Sequence, residues 1–89
     1  MKQVSQTRQF ARDIKRVRKW GKNLSKLKTI VTKLAQGEAL EPQHRDHALS
    51  NNWQHSRDCH IEPDWILIYT IGEEYLRLER TGIHSDLFG

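Results

Sequence analysis

Five histidines, His44, His47, His55, His60 and His84, and one cysteine, Cys59, are the residues of this 89-residue chain best fitted to move protons or hold a metal. Several gather at "RDCHIEPDW", residues 57–65, where an arginine, two aspartates, a cysteine, a histidine and a glutamate crowd around one proline. Imidazoles titrate near neutral pH, so one can accept a proton while another donates it. In a hairpin, His60 ends one strand and Asp64 begins the next, close enough for the carboxylate to orient the ring. Zinc would use His44-x-x-His47 with His55, Cys59 or His60, but these spacings match no strong zinc pattern. No metal and no other cofactor is therefore expected. Taken singly, each histidine reads as an ordinary surface or hydrogen-bonded residue, and Cys59, on a strand interior, as an inert core residue.

Two further residues stand out. Arg80 shares a strand face with Leu76 and Leu78 by parity, and an arginine on an inward face needs an anion, either a phosphate or a carboxylate such as Asp64. Phe88 is the penultimate residue, placed to stack on a nucleobase or to pin the tail to the core.

The elements that must position these groups show in the hydrophobic periods. After a weak first-strand signal in residues 1–6, Thr7 can cap a helix whose stripe is Phe10, Ile14, Val17 and Trp20, ended by Gly21. Asn23 can cap a second, with Leu24, Leu27, Ile30, Val31 and Leu34 on one face and Gly37 after it. Beyond a polar loop the period changes to two. Residues 53–61 read as a strand of mixed polarity, residues 65–71 ("WILIYTI") as a nearly continuous apolar central strand, and residues 75–81 as an alternating one. Links this short force an antiparallel meander, and the last residues allow a turn or a fragment of helix. The expected fold class is α+β, a helical hairpin packed on a small, mainly meandering antiparallel sheet, in one domain over residues 1–89.

Charge is divided unevenly. Residues 1–36 carry a net +10 and residues 37–89 a net −6, which points to a basic surface for a polyanion, with other chemistry elsewhere. No stretch reaches the roughly 20 apolar residues that cross a bilayer. The N-terminal 20 residues lack an apolar signal core, and a single cysteine suits a reducing compartment, so a cytoplasmic location is expected.

In their order, "RDHAL", Trp53, "RDCHIEPDWILIY" and "LERTGIHSDLF" resemble the YafQ-type branch of the RelE/ParE toxins of bacterial toxin–antitoxin modules; "LSKLKTIVTKLAQGEAL" fits more loosely. The resemblance implies a RelE-like toxin acting as a ribosome-dependent endoribonuclease on messenger RNA, without a metal: the ribose 2′-hydroxyl attacks the adjacent phosphate and the 5′-oxygen leaves. It places the family's functional positions on His47, His60, Asp64, His84 and Phe88. The roles that follow are His60 with Asp64 as base, His84 as general acid and His47 as an assistant or phosphate holder. Arg80 would stabilise the phosphorane charge and Phe88 would hold a base; which histidine donates and which accepts stays open. Arg12, Lys15, Arg16, Arg18, Lys19, Lys22, Lys26 and Lys28 become candidate contacts to ribosomal RNA phosphates. The implied partner is a cognate antitoxin of ribbon-helix-helix type in a 2:2 complex, through which alone operator DNA would be reached. One departure is plain: the family's "G-x-W-x-G" has Asn51 and His55 here in place of its glycines.

Two other readings compete. One is a non-catalytic ParE-like inhibitor, a branch that lacks this histidine set, or a basic nucleic-acid-binding module on the same fold. A basic amphipathic helix on an anionic membrane would need residues 7–22 to stand free, whereas two striped helices bury their stripes on a sheet.

Overall fold

The computed structural model describes residues 1–49 and 55–89. Trp53, Asn51 and the start of the strand expected from residue 53 lie outside the described residues. The chain runs β1 (Gln3–Gln6), α1 (Arg8–Lys19), α2 (Leu24–Ala35), a 3₁₀ turn (Pro42–His44), β2 (His47–Ala48), β3 (Arg57–Glu62), β4 (Trp65–Ile71), β5 (Tyr75–Gly82) and α3 (His84–Phe88). Both expected N-caps form: the Thr7 hydroxyl accepts from the Phe10 amide and the Asn23 side chain from the Ser25 amide, each at 3.0 Å. These side chains satisfy donors that a helix start leaves orphaned.

The sheet order is β1-β5-β4-β3-β2. The antiparallel meander β3-β4-β5 is present as expected, but β1 joins β5 in parallel, so the sheet is mixed. That pairing needs a crossover, which α1 and α2 help to provide. Every side chain of β4 from Trp65 to Thr70 is buried. Alternate residues Trp65, Leu67 and Tyr69 pack with Phe10, Val17, Leu27, Ile30 and Leu34 of the helices. On the opposite side Ile66 and Ile68 meet Leu87 of α3 and Leu49. Each large side chain so buried is worth about 1.5–3 kcal/mol. Among the described residues no helix is long and apolar enough to cross a membrane.

The stripe of α1 differs from its sequence reading at two positions. Trp20 caps the helix and is 47% exposed, while Asp13 is fully buried between Phe10 and Val17. Asp13 reaches the neighbouring strand, accepting from Arg80 Nε at 2.7 Å, Arg80 Nη2 at 3.1 Å and the Thr81 amide at 3.1 Å. The parity argument for Arg80 also fails. Ile68 pairs with Arg80 and Tyr69 with Leu78, leaving Glu79 as an extra residue. The bulge turns Arg80 to the side of Ile68, away from Leu76 and Leu78. His55 adopts φ +78°, the left-handed backbone a glycine favours, and its side chain is exposed. A side chain there costs about 1–2 kcal/mol, which gives the family's glycine at this position a physical reason.

Breaking a buried pair leaves an uncompensated charge, so Asp13→Ala is expected to lower the unfolding free energy by about 3–5 kcal/mol in urea titrations. Asp13→Asn should cost less, because its amide oxygen still accepts from Thr81. A loss near zero for Asp13→Ala would show that the pair does not hold α1 to β5.

Candidate active site

His47 and His60 lie on the face of the sheet opposite α1 and α2. Strand pairing sets Asp58 across from Ile68 and His60 across from Ile66, and sets His47 of β2 across from Asp58. Side chains of paired residues share a side, so His47, Asp58 and His60 all face the side on which α3 packs. His84 opens α3, and its ring centroid lies 5.0 Å from that of Phe88, tilted by 45°. Leu87, not Phe88, anchors this end: it is buried in the Ile66–Ile68 cluster while Phe88 is 36% exposed.

Three rings have Nδ1 turned to main-chain carbonyls, two of them on this face. His60 Nδ1 lies 3.0 Å from the Pro63 oxygen and His47 Nδ1 lies 2.7 Å from the Arg45 oxygen. A carbonyl can only accept, so each Nδ1 carries a proton, and in the neutral ring Nε2 is the acceptor. The expected His60–Asp64 pair does not form, because the carbonyl of the tight turn is nearer to Nδ1 than the carboxylate. Asp64 instead stands 71% exposed with Oδ1 at 3.5 Å from Lys22 Nζ. His44 has a structural role, its Nδ1 at 2.7 Å from the His60 carbonyl.

The residue that sequence reasoning missed is Asp58. It is 4% exposed, and its Oδ1 has no hydrogen bond although His47 Nδ1 lies 3.0 Å away. The geometry resolves the two observations: the Nδ1–H is directed to the Arg45 carbonyl, leaving the carboxylate as an off-axis countercharge. Burial pushes the Asp58 carboxyl above its ordinary value, Asp46 adds to the rise, and positive charge on His47, His60 and His84 opposes it. All three imidazoles therefore sit in the field of one buried carboxylate. The signal was available, since Asp58 precedes His60 by two residues in a strand and must share its face.

Arg80 does not find its anion in Asp64; Asp13 takes Nε and Nη2, and Nη1 is outside that pair. The eight candidate phosphate contacts divide. Arg16 bridges Asp13 and Asp86 at 3.6 and 3.5 Å, and Lys22 and Lys26 hold Glu62 at 3.1 and 2.9 Å. The bonds from Lys26 and then Lys22 pull the Glu62 carboxyl below its ordinary value. Arg12, Lys15, Arg18, Lys19 and Lys28 are exposed and have no carboxylate partner among the described residues. Cys59 is fully buried on the helix side, where burial raises its thiol well above the usual range. A cleft of about 540 Å³ lies at the end of the sheet where β1 starts, lined by Met1, Lys2, Gln3, Ala35, Gln36, Gly37, Glu73 and Glu74. Its lining has no histidine, whereas a cleft of about 290 Å³ has His44 and His60 in its lining.

Comparisons with known proteins show what the chain is similar to. The YafQ toxin family model, described as a bacterial toxin of type II toxin–antitoxin system, matches residues 2–89. The mRNA interferase toxin YafQ of Escherichia coli (strain B / BL21-DE3) is 45% identical over 82 residues, covering 91% of this chain and 89% of that protein. The crystal structure of YafQ from that E. coli strain superposes with a TM-score of 0.94 at 40% identity, each chain fully covered. A crystal structure of the E. coli DinJ–YafQ complex gives a TM-score of 0.93 at 41% identity, again over the whole of both chains.

The environment of Asp58 makes a pH prediction. Between the ordinary carboxyl value of 3.8 and the raised value in the folded chain, the folded state binds more protons than the unfolded one. This group's contribution to stability therefore falls as pH rises through that window. Asp58→Asn should be more stable than the parent at pH 7 in thermal melts, with the difference shrinking as pH falls and vanishing below the unfolded value. A variant less stable than the parent at pH 7 would show that the histidines more than offset burial.

Proposed function

The chain belongs to the YafQ family of toxins of bacterial type II toxin–antitoxin systems, and from that premise we propose that it is an mRNA interferase, an endoribonuclease working by metal-free acid–base chemistry. The observation that carries the mechanism is the placement of His47 and His60 on one sheet face with buried Asp58, whose charge His84 also feels, with both Nδ1 atoms held by carbonyls so that Nε2 is the acceptor of the neutral ring. Such a set matches a reaction in which a ribose 2′-hydroxyl gives up a proton and attacks the adjacent phosphorus while the 5′-oxygen leaves and must gain one. His60 Nε2 takes the 2′-proton. His84 donates to the 5′-oxygen, and its i,i+4 neighbour Phe88 stacks on a base beside the scissile bond. His47 faces the phosphate between them. Asp58 supplies the countercharge when a ring becomes imidazolium. Arg80, held by Asp13, offers Nη1 to the phosphorane oxygens. Asp64, exposed beside Lys22, is placed for the substrate's ribose or a phosphate-bound water.

The exposed cations Arg12, Lys15, Arg18, Lys19 and Lys28 fit a docking surface for ribosomal RNA, so cleavage is proposed to depend on the ribosome. Lys22 and Lys26 join only if their hold on Glu62 is released, and Arg16 only by leaving Asp13 and Asp86. The relative solved with DinJ supports a cognate antitoxin as partner. A ribbon-helix-helix antitoxin in a 2:2 complex, operator binding through that antitoxin, and action in the cytoplasm complete the proposal.

Induced expression should arrest growth, with cleaved transcripts appearing in a reconstituted translation mixture and not when ribosomes are left out. His60→Ala and His84→Ala, each folded by circular dichroism, should lower the cleavage rate by about 10²–10⁴-fold, the usual scale for a lost acid or base. Arrest that persists in both folded variants without cleavage would replace the enzyme with a binding inhibitor on the same scaffold.

A further inference from the structure

β2 is two residues long and sits at the sheet edge, yet His47 must be held well enough for its ring to act. Asp46, the residue before it, provides the means. Its Oδ1 accepts from the Tyr69 hydroxyl and, at 3.3 Å, from Arg57 Nε. Tyr69 and Arg57 are strand partners, and Tyr69 belongs to the core on the helix side. Asp46 is thus fastened behind the sheet, and strand alternation then forces His47 to the front. Burial, and next the Asp46 carboxylate, raise the Tyr69 phenol above its ordinary value, so its hydroxyl stays a donor at neutral pH.

The same anchor fixes the carbonyl on which the His47 tautomer depends. Arg45 has φ 47° and ψ 44°, a left-handed conformation without a glycine. Such strain persists only where the surroundings over-determine it. Here the chain is tied on both sides of Arg45, by His44 to the His60 carbonyl and by Asp46 to Tyr69 and Arg57. The held Arg45 carbonyl then receives His47 Nδ1–H at 2.7 Å.

We infer that Asp46, clamped by Tyr69 and Arg57 behind the sheet, is the positioning residue that sets the orientation and tautomer of His47. The inference rests on the reading of His47 as part of the reaction site, and a two-part experiment separates them. Imidazole nitrogen spectra, with His47 assigned by comparison with His47→Ala, should show a single Nδ1–H form in the parent chain. In Tyr69→Phe and Asp46→Ala that form should give way to a mixture at His47, while the His60 and His84 signals stay put. Maximal cleavage should fall about tenfold or more, since displacements near 1 Å can cost 10²-fold, with half-saturating substrate unchanged. Asp46→Asn keeps an acceptor for both donors and should restore most of the parent rate. A parent-like His47 signal in folded Tyr69→Phe and Asp46→Ala overturns the clamp, as does full cleavage in both while His47→Ala is impaired. Full cleavage by folded His47→Ala would instead remove His47 from the reaction, and the nitrogen spectra alone would then uphold or overturn the clamp.

Discussion

β4 carries no charged side chain and is buried on both faces, and the rest of the molecule answers that constraint. A strand with Trp65, Leu67 and Tyr69 on one side and Ile66 and Ile68 on the other must be covered twice. The helix side takes α1 and α2, hence the two apolar stripes in the first 36 residues. The other side receives much less, with Leu87 of the short α3 and Leu49 over the isoleucines. The remaining ground on that face is where His47, Asp58 and His60 stand, so the candidate site is the uncovered part of the second core. Asp58, opposite Ile68, is buried, and that burial raises its carboxyl.

The edge of β5 presents a second problem with a single-residue answer. β1 pairs from Tyr75 to Leu78, and beyond it the strand has no neighbouring strand on that side among the described residues. An unpaired buried amide there is costly. Asp13 accepts the Thr81 amide and takes the place of the missing strand, while Arg80 neutralises it. The Thr81 hydroxyl in turn accepts from Trp65 Nε1 at 2.8 Å and donates to the Ile66 carbonyl at 2.8 Å. α1, β5 and the central tryptophan are joined by one polar chain that ends at Arg80, on the face that carries the candidate site.

What could be read from the sequence was local, and what could not was a choice of distant partner. The caps at Thr7 and Asn23 act within three residues, and "WILIYTI" fixes its burial by composition, so helices, central strand and meander were legible. The face shared by His47, Asp58 and His60 needs only strand alternation and two pairings. The parallel place of β1, the bulge at Glu79 and the pairing of Asp13 with Arg80, 67 residues apart, leave no periodic trace. His60 and Asp64 were near enough in sequence to suggest a pair, but a tight turn brings its own carbonyl closer than a side chain at its far end. Charge counts located the basic half correctly. They could not separate Lys22 and Lys26, which hold Glu62, from Lys19, which holds no carboxylate among the described residues.

Using carbonyls to orient imidazoles has a chemical consequence. A carboxylate on Nδ1 would fix the tautomer and add a full negative charge to the same atom, coupling orientation to basicity. A carbonyl fixes the tautomer with a dipole alone. At His60 the dipole acts alone on Nδ1, whereas at His47 the Asp58 carboxylate also lies 3.0 Å from Nδ1, off the N–H axis, and its charge is felt by all three rings. Orientation can thus be set ring by ring, by Pro63 for His60 and Arg45 for His47, while one buried carboxylate serves whichever ring becomes charged. That division suits a reaction in which the positive charge must move from one imidazole to another as the proton leaves the 2′-oxygen and another reaches the 5′-oxygen.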